Sequence, residues 1–188
     1  GWLVDGTVCE IKEKPVRIKG RNIPSVSFED IGGLDETIEE IKEIAIVPLL
    51  HPEVYQKAGQ DPPKGILLFG PPGVGKTLLA KALAREAQCN FMLINGPELF
   101  AATYGESERK LRELFEQAKK EGPTVVYIDE IDAIAGSRKD GKGQLEKRIL
   151  TQLLTELDGF EDRGQVLVVG STNMIESIDD ALLRAGRF

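Results

Sequence analysis

Histidine is nearly absent from this 188-residue chain: His51 is the only one. That excludes multi-histidine metal sites and argues against histidine-based triads. Between Leu50 and Pro52, at the end of an expected helix, His51 suits a capping or surface role. Cysteine is as scarce. Cys9 and Cys89 lie far apart and in no ligand-spaced cluster, which suggests reduced thiols and an intracellular, cytoplasmic setting. No apolar run is long enough to span a bilayer, and the first residues lack the basic-then-apolar layout of a secretory signal. No membrane insertion is expected. A basic excess is missing too. The formal charge of −7 argues against non-specific binding to nucleic acid. What remains, 41% apolar and 29% charged residues, is the composition of a globular domain with a real core.

The strongest pattern present is Gly70-Pro71-Pro72-Gly73-Val74-Gly75-Lys76-Thr77. Two glycines five apart, then Lys and Thr, fit a phosphate-binding loop. The flanks supply the context it needs: Ile66–Phe69 reads as a buried strand and Leu78–Ala87 as a helix. Glycines let several backbone N–H groups turn inward around a polyphosphate, and the helix adds the positive end of its dipole. Lys76 would reach the outer phosphates and the Thr77 hydroxyl would hold a magnesium ion. The alternative is a glycine-rich turn with a chance Lys-Thr behind it.

Residues 1–25 are expected to be irregular and locally basic, a linker or the tail of a preceding domain, with a short strand around Val16 and Ile18. Residues 26–188 make the domain. Ser27–Leu34 is a turn-rich entry, and Ile38, Ile41, Ile44 and Ala45 share one face of a helix closed by Pro48. A short helix over 51–58 and the breaker Asp61–Gly65 follow. Further strands are expected at 90–94, 124–128 and 166–169, helices at 106–120 and 145–157, and a helical turn at 180–183. On the first of those helices Leu111, Leu114, Phe115 and Ala118 share a face, with Glu108/Arg112 and Glu116/Lys120 spaced for ion pairs. Strands apolar on both faces, alternating with helices, predict a three-layer α/β sandwich around a parallel sheet. Ligands of such sheets bind at the carboxyl ends of the strands.

There the third strand ends in Asp129-Glu130. Asp129 would hold the magnesium ion, and Glu130 would polarise the water that attacks a γ-phosphate. The bland alternative is a helix start with acids in its first turn, since Ile131–Ile134 could be helical. The fourth strand ends in Gly170-Ser171-Thr172-Asn173. Asn173 would orient the water if its strand lies between the first and third, or else belong to an ordinary polar turn. Gly96–Gly105 reads as a loop that packs on its own helix or touches a substrate chain. At the end of the chain, Arg184 and Arg187 flank a glycine: a solvated basic end, or arginines that reach a neighbour's nucleotide.

In this order the residues resemble the AAA family of ATPases, most closely the group of the valosin-containing protein and its archaeal cell-division-cycle relatives. The likeness rests on Phe28–Leu34, Pro62–Gly73, Tyr104–Glu108, Ile128–Asp132, Gln152–Thr155, Thr172-Asn173 and Gly186–Phe188. It implies a homo-hexameric ring that binds and hydrolyses ATP to ADP with Mg2+, and works on protein substrates with adaptors as an unfoldase or chaperone. Pro72, Gly73, Val74, Gly75, Lys76, Thr77 and Leu78 match the first nucleotide motif, and Asp129 and Glu130 the second. Asn173 matches the sensor asparagine, and Arg184 and Arg187 match arginine fingers that act on the adjacent subunit. Asp30, Ile31 and Gly32 match a segment that lies against the adenine. Val74 and Ala185 stand where the family often has Thr and Pro. Thr103 stands where many members carry the pore-loop aromatic, with Tyr104 beside it. The resemblance also implies a further strand and a helical lid that this chain lacks. A fragment with slow turnover is therefore expected, with Ile66–Phe69 at an exposed sheet edge. The rival readings are a membrane-fusion or microtubule-severing relative, and a scaffold that binds ATP without hydrolysing it.

Overall fold

Four apolar runs become the strands of one parallel sheet: β3 (Gly65–Phe69), β4 (Asn90–Asn95), β5 (Thr124–Asp129) and β6 (Val166–Thr172), in the order β3-β6-β5-β4. The computed structural model describes residues 3–4, 7–8, 22–59, 63–101, 105–135, 143–159, 166–184 and 186–188. Parallel neighbours need a crossover rather than a tight turn, and helices supply each one. α4 (Lys76–Glu86) joins β3 to β4. α5 (Gly96–Ala101) and α6 (Glu106–Glu121) join β4 to β5, and α7 (Asp132–Ala135) and α8 (Gln144–Asp158) join β5 to β6. Ahead of the sheet come α1 (Asp35–Ile41), α2 (Val47–Leu50) and α3 (Pro52–Lys57).

The period of two along each strand sorts the side chains into two cores, one on each face. Val125, Tyr127, Leu167 and Val169 pack with Leu79 and Leu83 of α4 and with Ile38 and Ile41 of α1. Val126, Ile128, Val166 and Val168 pack with Leu111 and Phe115 of α6 and with Ile149, Leu153 and Leu157 of α8. This is the expected three-layer α/β sandwich. An ion pair from Lys119 to the mostly buried Glu156, at 3.3 Å, ties α6 to α8. β3 stands at one edge of the sheet, as expected, and its last residue Phe69 is 63% exposed. β4 stands at the other edge. Its outer side is met in part by Asn22, which accepts from Phe91 N at 3.0 Å and donates from Nδ2 to Phe91 O at 3.1 Å.

Several expectations need correction. The first residues are not wholly irregular, because β1 (Leu3–Val4) and β2 (Thr7–Val8) pair antiparallel. Val16 and Ile18 lie outside the described residues. Pro48 does not close the first helix: Lys42–Ile46 form a π-helical turn, and α2 carries on through Pro48 to Leu50. Proline cannot donate an N–H and its ring presses on the carbonyl four residues back, and a wider turn ahead of it relieves that clash. The same turn rotates the apolar face. Ile38, Ile41 and Ala45 are buried, whereas Ile44 is 47% exposed.

Gly96–Ala101 is a helix rather than a loop, with Pro97 in its first turn, where a missing N–H is harmless. Ser107 Oγ donates to its Leu99 carbonyl at 2.6 Å. β6 extends beyond residue 169, because Gly170, Ser171 and Thr172 find partners in Leu67, Leu68 and Phe69 of β3. The 3-10 segment Ile175–Ser177 follows, and the expected turn at 180–183 comes after it, closed by Leu182 N on Asp179 O at 2.9 Å and Leu183 N on Asp180 O at 3.2 Å. On α6 the ion pairs are Glu106–Lys110 at 2.9 Å and Arg109–Glu113 at 3.7 Å. Glu108, expected to pair, instead carries a buried Oε2 with no hydrogen-bond partner.

One close approach sets the position of the end of β5. A Cβ on Gly96 would fall on the Glu130 carbonyl oxygen and 2.9 Å from that of Asp129. Both obstacles are backbone and cannot swing aside. Gly96→Ala is therefore expected to destabilise the fold by about 1–3 kcal/mol, the usual range for overpacking. Urea unfolding would show this as a lower midpoint at unchanged slope, and an unmoved midpoint would show that the contact imposes no constraint.

Candidate functional site

The loop between β3 and α4 is shaped by its glycines. Gly73 and Gly75 have φ of +81° and +92°, a region that side chains with a Cβ rarely adopt, and Gly75 also caps the N-terminus of α4. The first amides of α4 have no partner within the helix and face the same place as its positive dipole end. Lys76 folds back over the loop. Its ammonium donates to Gly70 O at 2.8 Å, Pro71 O at 2.9 Å and Asn173 Oδ1 at 2.8 Å. The last bond exists because β6 lies between β3 and β5, so Asn173 emerges beside the loop. The condition set on Asn173 by the sequence is met.

A cleft of about 370 Å³ opens over this loop. It is lined by Pro72, Gly73 and Gly75–Leu78, by Asp129 and Glu130, and by Ser171–Asn173. Asp129 is held from three sides at one oxygen: Oδ1 accepts from Ser171 Oγ at 2.6 Å, from Glu130 N at 3.2 Å and from Tyr127 OH at 3.3 Å. The Tyr127 hydroxyl also lies 3.1 Å from Thr77 Oγ1. Burial pushes the Tyr127 phenol above its usual range, only partly offset by hydrogen bonds from Ser171 and Thr77, so it stays protonated at neutral pH. Glu130 has φ of +50°, an uncommon conformation for a residue with a Cβ, and its amide lies 3.3 Å from Ser171 Oγ. Strained backbone of this kind gathers at functional sites. The helical alternative for this segment is also real, but one step later: α7 begins at Asp132, which accepts from Thr172 Oγ1 at 2.7 Å, and Glu130 stays in the cleft.

Residues 66–188 match the ATPase family associated with various cellular activities (AAA). The chain belongs to that family. It is similar to Protein SAV of Sulfolobus acidocaldarius, at 51% identity over 100% of this chain and 24% of that protein. It is similar also to the cell division cycle protein 48 homolog of Archaeoglobus fulgidus, at 50% identity over 97% of this chain and 25% of that protein. A third relative, the proteasome-activating nucleotidase of Archaeoglobus fulgidus, is 52% identical over 88% of this chain and 42% of its own length. The chain thus spans about a quarter of the length of the first two.

Of the remaining AAA candidates among the described residues, only Leu78 lines the cleft. Asp30 caps a 3-10 turn, its Oδ2 accepting from Ser27 N at 2.8 Å and Ser27 Oγ at 3.0 Å. The backbone bond from Ser27 lowers the Asp30 carboxyl below its usual range. Ile31 packs against the core that contains α4, and Gly32 is exposed. Val74 and Leu78 are exposed to the same extent, and Val74 does not line the cleft. Arg184 is exposed. Arg187 is engaged within its own chain, with Nε and Nη2 on the two Asp158 oxygens at 3.0 and 2.8 Å and Nη1 on Ala181 O at 2.7 Å. Thr103 and Tyr104 lie outside the described residues. His51 is exposed and meets Glu53 Oε1 at 3.2 Å, a surface role as expected.

Two residues of the site escaped the sequence: Tyr127 and Ser171. The signal for Tyr127 was present, a hydroxyl two places before Asp129 and so on the same strand face. Ser171 gives no such signal, since its bond to Asp129 depends on the pairing of β5 with β6.

The Arg187–Asp158 pair makes stability depend on pH in a defined direction. The Arg187 hydrogen bond holds the Asp158 carboxyl below its ordinary 3.8. Its stabilisation is therefore full above that value and lost as the pH falls through the lowered one. Asp158 is 54% exposed, so solvent screening limits the effect to about 1 kcal/mol or less. Asp158→Asn is expected to be less stable than the parent by that amount at pH 7, with the gap closing in acid. Parallel urea titrations at both pH values test this, and a gap that persists in acid would assign the loss to packing.

Proposed function

We propose that this chain binds ATP and hydrolyses it with a magnesium ion, as the large α/β subdomain (residues 26–188) of a ring-forming AAA ATPase. The observation that carries this reading is the convergence of Lys76, Thr77, Asp129, Glu130 and Asn173 on one cleft from three adjacent strand ends. The residues present fit a bound metal–nucleotide. Left-handed glycines and the start of α4 offer backbone donors to phosphates, and Lys76 adds a charge. Asp129 keeps its bonds on Oδ1, which leaves Oδ2 for a cation, with Thr77 Oγ1 as the second ligand. Among the described residues no three His, Cys, Asp or Glu side chains are placed to hold a metal ion by themselves. Magnesium suits such a site, because it commonly takes one or two protein ligands, waters and the substrate's own phosphates. When bound, the ion supplies neutralisation of the charge on the phosphate oxygens.

The chain's own residues do the rest. Glu130 accepts a proton from the attacking water, and its strained backbone holds the carboxylate at the cleft rather than in α7. Asn173 uses its oxygen on Lys76, which leaves its amide N–H groups to donate to the water or the outer phosphate. Leu78 gives the cleft an apolar wall, and Asp30–Gly32 would meet the adenine once the nucleotide is in place.

In the full-length protein we assign Arg184 and Arg187 to the neighbouring subunit's nucleotide in a hexamer. The exposure of Arg184 favours it as the stronger contributor, since Arg187 must first leave Asp158. Protein unfolding or complex disassembly is the proposed output, with protein substrates and adaptors as partners and Thr103-Tyr104 at the pore. The relative named proteasome-activating nucleotidase supports a link between nucleotide and protein handling. Residues 1–25 are assigned as a linker or the tail of a preceding domain, and the protein is assigned to the cytoplasm; among the described residues no helix is long and apolar enough to cross a membrane.

Glu130→Gln separates this reading from that of a non-hydrolysing scaffold. Loss of a general base lowers rates by about 10²–10⁴-fold, and turnover is expected to fall by that range while ATP affinity holds. Coupled-assay kinetics beside equilibrium nucleotide binding give both numbers. Turnover that survives the change would remove Glu130 from the chemistry.

A further inference from the structure

Tyr127 brings a hydroxyl into a strand that is otherwise apolar from Val125 to Ile128. Its residue is wholly buried, and its ring stacks on Phe91 with centroids 6.0 Å apart at 25°. The ring needs no hydroxyl for that packing. The hydroxyl lies instead 3.1 Å from Thr77 Oγ1 and 3.3 Å from Asp129 Oδ1, and so joins the end of the phosphate-binding loop to the acid at the end of β5.

The direction of these bonds is fixed by chemistry. An ionised carboxylate only accepts, so Tyr127 gives its single proton to Asp129. In its contact with Thr77 the tyrosine oxygen can then only accept, and Thr77 must be the donor. A threonine hydroxyl has one proton and two lone pairs. With the proton donated inward to Tyr127, the lone pairs are left for the cleft that Thr77 lines. The carboxylate that sets this polarity is itself held by Ser171 Oγ at 2.6 Å and Glu130 N at 3.2 Å.

We propose that Tyr127 is a positioning residue that turns the Thr77 hydroxyl proton away from the cleft, so that Thr77 Oγ1 presents lone pairs to a divalent cation. This rests on the reading above that Thr77 and Asp129 hold magnesium. Its specific content is that the cation site is polarised before any ion arrives, by a side chain that does not touch the ion. Tyr127→Phe keeps the ring and its stacking but removes the acceptor for the Thr77 proton. That proton is then free to point at the cation, and Asp129 Oδ1 loses one of its three donors.

The test is a magnesium titration of ADP binding on the full chain, followed with a fluorescent ADP analogue, with an EDTA arm for metal-free binding. Tyr127→Phe is expected to raise the Mg2+ concentration for half-maximal effect by about two- to tenfold, the scale of one net hydrogen bond. Its metal-free affinity should stay at the parent value. Equal weakening with and without Mg2+ would make Tyr127 merely structural and overturn the proposal. Asp129→Asn checks the reading beneath it. If that change abolishes the Mg2+ effect while Tyr127→Phe leaves the half-point in place, the role of Tyr127 falls and the magnesium reading stands. If Asp129→Asn changes nothing, the magnesium reading itself fails.

Discussion

A carboxylate stands at the mouth of a buried strand, and the site depends on how Asp129 is held there. The four residues before it, Val125–Ile128, are wholly buried, so its surroundings solvate a charge poorly. Three donors stand in for water at Asp129 Oδ1, and they come from three places: Ser171 on β6, Tyr127 on the acid's own strand, and the Glu130 amide that follows. Each also fixes something else. Ser171 pins the end of β6 to that of β5, Tyr127 reaches to Thr77, and the Glu130 amide goes with the left-handed turn that leaves Glu130 in the cleft. One electrostatic requirement thereby sets the geometry of both nucleotide motifs.

The sheet order makes this possible. With β6 between β3 and β5, a single strand end touches the loop on one side through Asn173 and the acids on the other through Ser171 and Thr172. The two cores behind it hold the strand ends in place, and the close passage of Gly96 against the Asp129 and Glu130 carbonyls fixes their height. Rigidity built from packing on both faces holds the strand ends where bonds of 2.6–2.8 Å can form.

Much of this was legible in the sequence, for a physical reason: residues whose role is set by local chemistry announce themselves. The glycines at 73 and 75 are needed by positive φ, and the acids after a β-branched run have no structural excuse. Asn173 was readable only on the condition that its strand lay in the middle, which pairing and not periodicity decides. The errors have the same root. Ile44 falls on the apolar face of an ideal helix, but the π turn before Pro48 rotates it outward. Gly96-Pro97 reads as loop punctuation, yet both residues suit the first turn of α5 and the glycine is there to let a strand end pass. Ser171 could not be found, because nothing local marks a serine whose partner is forty-two positions away.

Lys76 is where the two halves of the site meet. Its three acceptors satisfy all three ammonium protons: two loop carbonyls and the Asn173 oxygen. A phosphate that enters the loop must take over at least one of these bonds, and charge favours it over neutral oxygens. If the bond released is that to Asn173, the end of β6 gains freedom. The same strand end carries Ser171 and Thr172, which hold Asp129 and Asp132. On the proposed reading, a phosphate entering the loop would thus bear on the setting of the acids through one short stretch of strand.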